Sequence, residues 1–334
     1  MPSRNAGAGA RSRRPGSEPA LASTRVAEIQ RQRLLAAMAA VASERGAANA
    51  SVAHVVARAG VSRRTFYELF EDREACFLAA FDQAIEQAAA TVLPAYEGQE
   101  RALSKTGWRE RIRAGLATLL QFLESEPCLA RLVIVEALGA GPLALEHRTR
   151  VLAALIAAVD AGKQETRGKQ LPPLAAEGVV GAVFAVVHAR VALAPASHAA
   201  AGSGNSPLPD LLGELMGVIV LPYLGPAAAQ KELHRPTPRL QTKPRQHRDP
   251  LEGLKMRLTY RTLRALAAVA ANPGASNRRL ADAAGIVDQG QASKLFTRLE
   301  DLGLIENVGA GHAKGARNAW VLTPRGQQVA QSMS

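Results

Sequence analysis

Cysteine is nearly missing from this chain: Cys76 and Cys128 are the only two in 334 residues. They stand alone with no paired spacing, which argues against a disulfide framework or a thiolate-held zinc site and fits a reducing cytoplasm. The basic start of the chain has no apolar stretch behind its arginines, so no secretory signal is expected. The most apolar run, residues 178–187, stops at His188 and Arg190 and is too short for a bilayer, so no membrane partner is expected. Seven histidines are present but none shows metal-ligand spacing: His234 and His247 fall in a proline-rich stretch and His312 in a glycine-rich loop. A nucleophile-elbow serine, a phosphate loop and a paired-carboxylate spacing are also missing. Neither an enzyme nor a metal or cofactor site is expected.

What is there is positive charge, unevenly placed. The chain has 41 Lys and Arg against 29 Asp and Glu, a formal net charge of +12. Residues 1–24 carry four basic and one acidic residue, and residues 25–75 carry eight and six. Residues 76–225 carry twelve basic and fourteen acidic residues, and residues 226–334 carry seventeen and eight. A mildly acidic middle between two basic flanks points to a polyanion touched at two places.

Glycine and proline divide the chain. Residues 1–24 lack periodicity and are expected to form a disordered basic arm. Residues 25–88 are helical in pattern with breaks at Gly46 and Gly60, and residues 89–225 form an all-helical middle. Residues 226–253 hold five prolines and six basic residues and suggest a stiff, exposed linker. Residues 254–334 form a further compact unit holding the two strand candidates, 304–308 and 319–323.

Within residues 51–70 the spacing predicts two short helices around a glycine turn. Ser51 suits the cap of a helix whose Val52, Val55 and Val56 share one face. Gly60 permits a left-handed turn, Val61 fills the crevice, and Ser62 caps a second helix. Phe66 and Phe70, four apart, face inward. Arg63, Arg64, Thr65, Tyr67 and Glu68 are left outside, the arrangement of a helix-turn-helix. Arginine can fork onto guanine O6 and N7, so Arg63 and Arg64 are the expected base readers. Ser51, Ser62, Thr65 and Tyr67, with Arg73 on the next helix, suit phosphate contacts.

Those residues carry a resemblance. Gly60-Val61-Ser62, Phe66, Tyr67 and Phe70, followed by Arg73 where lysine is frequent, resemble the DNA-binding domain of tetracycline-repressor (TetR) type regulators. The long preceding helix from Arg25 belongs to the same likeness, while Leu69 departs from it where histidine or tyrosine is common. The resemblance implies that the middle region is a bundle that dimerises through its last helices and encloses a small-molecule pocket. The seam is then expected on helices 176–192 and 209–225. Trp108, His147, Arg150 and Arg190 carry no assigned role; His188 is expected as a hydrogen-bonded core histidine, and His147 and Arg150 as surface or interface groups.

The last unit repeats the pattern. A helix over 255–274 places Leu258, Leu263, Leu266 and Val269 inward; Ser276 suits the cap of the next, and Gly285 turns the chain into a helix ending near Leu302. Leu295, Phe296 and Leu299 face in; Gln289, Gln291, Ser293, Lys294 and Arg298 face out. Gln suits adenine, and Lys or Arg suits guanine or phosphate. Two strands then enclose a loop whose His312, Lys314 and Arg317 can reach a groove. The segments 299–306 and 322–326 resemble winged-helix domains of the broad MarR type.

The expected fold is mainly α: an N-terminal three-helix helix-turn-helix domain, an all-helical bundle for ligand binding and dimerisation, and a C-terminal winged helix with a two- to three-stranded wing. The expected function is that of a cytoplasmic, homodimeric, ligand-responsive transcription regulator, a repressor on a pseudo-palindromic operator. Its partners are double-stranded DNA and an unidentified small effector. The alternative is a bridging factor whose winged helix binds protein instead of DNA.

Overall fold

The structure, a computed structural model, describes residues 17–102, 107–166, 170–194, 207–238, 260–309 and 317–332. It divides into two compact units, Arg33–Gln246 and a second that combines Met1–Gln32 with His247–Ser334.

The chain opens with helix α1 (Ser17–Arg45), which ends where Gly46 takes φ 82°. A single 3-10 turn (Ala47–Asn49) leads to α2 (Val52–Ala59) and α3 (Arg63–Leu69). The apolar side chains of these elements meet the start of α4 (Arg73–Ala102): Leu34, Met38, Val55, Phe66 and Phe81 are all essentially inaccessible. Helix α4 continues past this core into a second one, where Ala88 and Tyr96 pack. One helix therefore belongs to both cores of this unit.

The second core gathers α5 (Trp108–Ser125), α6 (Pro127–Ile134), α7 (Pro142–Asp160), α8 (Ala175–Leu193) and α9 (Leu212–Leu224). Trp108 anchors it, with its indole N–H donating to the Ala158 carbonyl at 2.9 Å and its ring 4.9 Å from that of Tyr223. Tyr223 is buried, and its hydroxyl has no hydrogen-bond partner among the described residues; burial pushes its pKa up.

In the other unit, α11 (Tyr260–Ala271), α12 (Asn277–Ala283) and α13 (Gln289–Asp301) surround Leu266, Leu280 and Phe296. Strands β1 (Ile305–Asn307) and β2 (Trp320–Leu322) pair antiparallel, with Glu306 opposite Val321, and α14 (Pro324–Ser332) closes the unit. Ala275 adds a single bridge to Trp320. The Leu-Thr-Pro-Arg-Gly sequence at 322–326 has a steric reason. The Thr323 hydroxyl donates to the Gly303 carbonyl at 2.6 Å, and a Cβ at Gly326 would stand 1.9 Å from the Leu304 oxygen.

The observed fold is thus mainly α with a small wing, as the sequence pattern predicts. Four local readings change. Helix α1 begins at Ser17, so the arm expected over 1–24 gives way to helix early: Ala20, Leu21 and Ala22 are good helix formers, and Pro19 is tolerated in a first turn. Residues 1–16 lie outside the described residues.

The linker expected from 226 opens instead on a packed helix, α10 (Pro226–Leu233). Pro226 occupies the first helical position, where a missing N–H costs nothing. Glu232 is 1% exposed and pairs with Arg113 at 2.5 Å. Arg113 also donates to the carbonyls of Arg235 and Pro236, at 3.1 and 3.0 Å. A charge that resembles a solvated surface group is here a buried tie to α5. Residues 239–259, with His247 and Leu258, lie outside the described residues.

Helix α8 is longer than its apolar heart: at 19 residues it is long and apolar enough to cross a membrane by length and composition alone. His188 on it is half-buried, 6.3 Å from the ring of Phe184, and makes no hydrogen bond among the described residues, which corrects its placement in the core.

Candidate nucleic-acid interface

Local chemistry sets the first pair of helices. Ser51 Oγ accepts from the His54 amide at 3.3 Å and so begins α2. Gly60 ends it with φ 64° and ψ 31°, a left-handed conformation that a side chain disfavours. The Val61 amide then donates back to the Val56 carbonyl at 3.1 Å, and Val61 itself is buried. Ser62 Oγ accepts from the Thr65 amide at 3.0 Å and lies 2.9 Å from the Thr65 hydroxyl, which starts α3.

Helix α3 is fixed by its inner face. Phe66 is fully buried and its ring lies 5.7 Å from that of Phe70. The outer face carries Arg63, Arg64, Tyr67 and Glu68, all exposed. Tyr67 is 59% exposed, yet its ring meets the edge of Phe66 at 5.4 Å, so the phenol is held by its base with its hydroxyl in solvent. Arg64 Nε bonds Glu68 Oε1 at 2.9 Å, an i,i+4 pair in which the Arg64 side chain is 89% exposed. At such exposure the pair contributes little stability. What it does is hold the guanidinium by its Nε edge.

Arg73 has a structural partner as well. Its Nη1 donates to the Ala47 carbonyl at 2.5 Å and the side chain is half-buried. The Ala47 amide in turn donates to Glu136 Oε2 at 2.8 Å, and Arg131 lies 3.3 Å from the same carboxylate. The turn before α2 is therefore pinned from two sides. Neither Glu136 nor Arg131 was a candidate from sequence, because the contact spans 89 residues and has no local signature. A second link joins α4 to α7 through His147 Nδ1 and Asp82 Oδ1, 2.7 Å apart.

The other unit has the same plan with different side chains. Gly285 takes φ 62° between α12 and α13. Asp288 caps α13 by accepting from the Gln291 amide at 3.0 Å. Ser276 precedes α12 in the position of a cap but makes no capping hydrogen bond. Gln289, Gln291, Lys294 and Arg298 are exposed on α13, and Arg317 is exposed at the start of the returning strand. Lys314 and His312 lie outside the described residues.

Ser293 corrects its outward placement. It is half-buried and accepts from Asn277 Nδ2 at 3.0 Å. Asn277 Oδ1 accepts from Trp320 Nε1 and from Asn318 Nδ2, the latter at 3.2 Å. Asn307 donates to Asn318 at 2.9 Å. This chain of amides ties α12, α13 and both strands together, and Trp320 stacks on Phe296 with ring centroids 6.1 Å apart.

Among the described residues no cluster of three or more His, Cys, Asp and Glu is placed to hold a metal. A groove of about 220 Å³ lies between α7 and α8, lined by Leu152, Ile156, Val180 and Phe184, with Arg148 stacked 4.5 Å over the Phe184 ring.

Two short helices set at a left-handed glycine, the second with a cationic outer face over buried aromatics, define a helix-turn-helix DNA-binding domain. Residues 34–80 match the family model for bacterial regulatory proteins of the tetR family, which places the chain's role in transcription regulation. No curated protein matches the chain. Among solved structures, the fatty acid degradation regulator FadR from Bacillus halodurans shares 17% identity over 57% of this chain and 97% of its own, with a TM-score of 0.46. FadR from Bacillus subtilis, solved with stearoyl-CoA, gives 16%, 57%, 97% and 0.43. A TetR family regulator from Marinobacter aquaeolei VT8 gives 21%, 61%, 95% and 0.41. Likenesses this distant do not carry a ligand or an assembly over to this chain.

Proposed function

We propose that the chain is a homodimeric repressor that grips a pseudo-palindromic operator through α3 and releases it when a small apolar effector binds the helical bundle. The observation that carries the DNA-facing part is the split of α3 into a buried Phe66 and an exposed ridge of Arg63, Arg64 and Tyr67. Guanidinium groups on such a ridge suit guanine edges, and the Ser51, Ser62 and Thr65 hydroxyls beside it suit phosphates.

A dimer seam on α8 and α9 is supported by their apolar outer faces. Gly181, Ala182 and Ala185 lie exposed on α8 beside Val186 and Leu193, and Val218 and Leu221 lie exposed on α9. Small residues let a second pair of helices approach closely, and covering such a patch removes apolar area from water. The groove between α7 and α8 is the proposed seat of the effector. An effector there shifts DNA affinity only by its unequal affinity for two conformations.

We assign α13 and the wing to a second DNA contact in the same protomer. Four exposed groups on α13 and the basic balance of the region support it. Sedimentation of the full chain tests the dimer, and footprinting on a duplex recovered from bound genomic fragments tests the operator. A monomer that protects a single unrepeated half-site would contradict the reading.

A further inference from the structure

The second helix-turn-helix leaves an apolar group in solvent directly before the cap of its second helix, where the first has the buried Val61. Val287 is 97% exposed and stands directly before Asp288, the cap of α13. Its neighbour Ile286 is buried at 5%, so the chain's packing need at this turn is already met. A β-branched side chain left almost wholly in water contributes nothing to the core.

The groups next to it are amides. Gln289 is exposed and makes no side-chain hydrogen bond among the described residues. Gln291 is exposed, and its Oε1 accepts from Arg261 Nη1 at 2.6 Å, which orients the amide and keeps its NH₂ available. The Asp288 carboxylate, which could otherwise accept from cytosine N4, is folded back onto the Gln291 amide as a cap. Lys294 and Arg298 follow one and two turns along the helix, both exposed.

In the major groove the thymine methyl is the one apolar feature, and adenine presents adjacent N7 and N6 groups that a glutamine amide meets with two hydrogen bonds. We propose that Val287, Gln289 and Gln291 form an A·T-reading surface, with the valine on a thymine methyl and the glutamines on adenine. The full operator is then composite: guanine-centred where α3 lies and A·T-centred where α13 lies. Lys294 and Arg298 supply phosphate contacts that position the helix without reading sequence. This inference rests on the assignment of α13 to DNA made above and adds its base preference.

The test is selection of bound duplexes from a randomised pool by the full-length protein, followed by sequencing. Wild type, Val287→Ser/Gln289→Ala and Arg63→Ala/Arg64→Ala are compared. All substituted groups are exposed, so thermal melts of the three proteins should coincide. Wild type is expected to enrich guanine-centred positions together with separate A·T positions. The Val287→Ser/Gln289→Ala protein should lose A·T enrichment roughly tenfold or more where those two side chains read, keep it where Gln291 reads, and keep the guanine positions. The arginine variant should show the reverse. Second positions enriched in G·C, or an A·T preference left undiminished at every second position by Val287→Ser/Gln289→Ala, would overturn the inference while leaving α13 on DNA. Guanine positions alone, with no second cluster in wild type, would remove the second contact itself and mark Val287 as a protein-facing group.

Discussion

The two helix-turn-helix units share their turn and differ in almost everything that faces outward. Each has a left-handed glycine, Gly60 or Gly285, and each caps its second helix with a side-chain oxygen, from Ser62 or Asp288. Each buries one phenylalanine completely, Phe66 or Phe296. Beyond that the first unit fills its outer face with arginine and tyrosine and is pinned to the bundle by Arg73 and Glu136. The second fills its outer face with glutamine, lysine and valine and is pinned to its own wing by asparagines. Cap, glycine and buried ring suffice for the geometry, and the outer face is free to carry a different chemistry.

The shared part of the comparison should show the largest effects. Phe66→Ala and Phe296→Ala each empty a fully buried site, and each is expected to cost about 3–5 kcal/mol in the core it belongs to. Denaturant unfolding followed by hydrogen exchange of the two segments measures this. A loss below ~1 kcal/mol in either would mean that its ring is not the keystone.

The differing part comes next. Arg64→Ala is expected to cost about 1–3 kcal/mol in operator binding while leaving the melting temperature unchanged, since the side chain is 89% exposed. Asn277→Ala, which has no counterpart in the first unit, should cost about 1–3 kcal/mol of stability. It strands the Trp320 indole N–H and the Ser293 hydroxyl beneath the wing. Intact stability in that variant would show that the amide chain is incidental.

The smallest effects belong to the caps. Ser62→Ala and Asp288→Ala should each lose about 1 kcal/mol, and by similar amounts, because each cap satisfies one amide at the start of its helix, α3 or α13. Unequal losses would show that one cap is redundant with the packing around it.

Much of this was legible in the sequence because its signals are local. Gly60-Val61-Ser62 with rings four residues apart gives the turn, the cap and the buried side of α3. The strands of the wing fall inside the two predicted segments for the same reason. What escaped is long-range or hidden by residue type. Glu232 looks like a surface charge until Arg113, 119 residues away, is seen to meet it. Ser293 sits at a position that helical spacing alone makes outward, and only the side chain of Asn277 draws it in. Arg73 also holds the carbonyl of a turn 26 residues earlier, a contact with no local signal. Val287 carries no signal in the sequence pattern, and its exposure becomes visible only in three dimensions.

The most direct measurement is fluorescence anisotropy of the full-length protein on its selected operator and on a random duplex, at fixed salt, for wild type and Arg64→Ala. With α3 lying in the major groove, the substitution weakens operator binding by about ten- to a hundredfold and random binding far less. Equal weakening on both duplexes, or none on either, would contradict the placement of the Arg63–Tyr67 ridge on base edges.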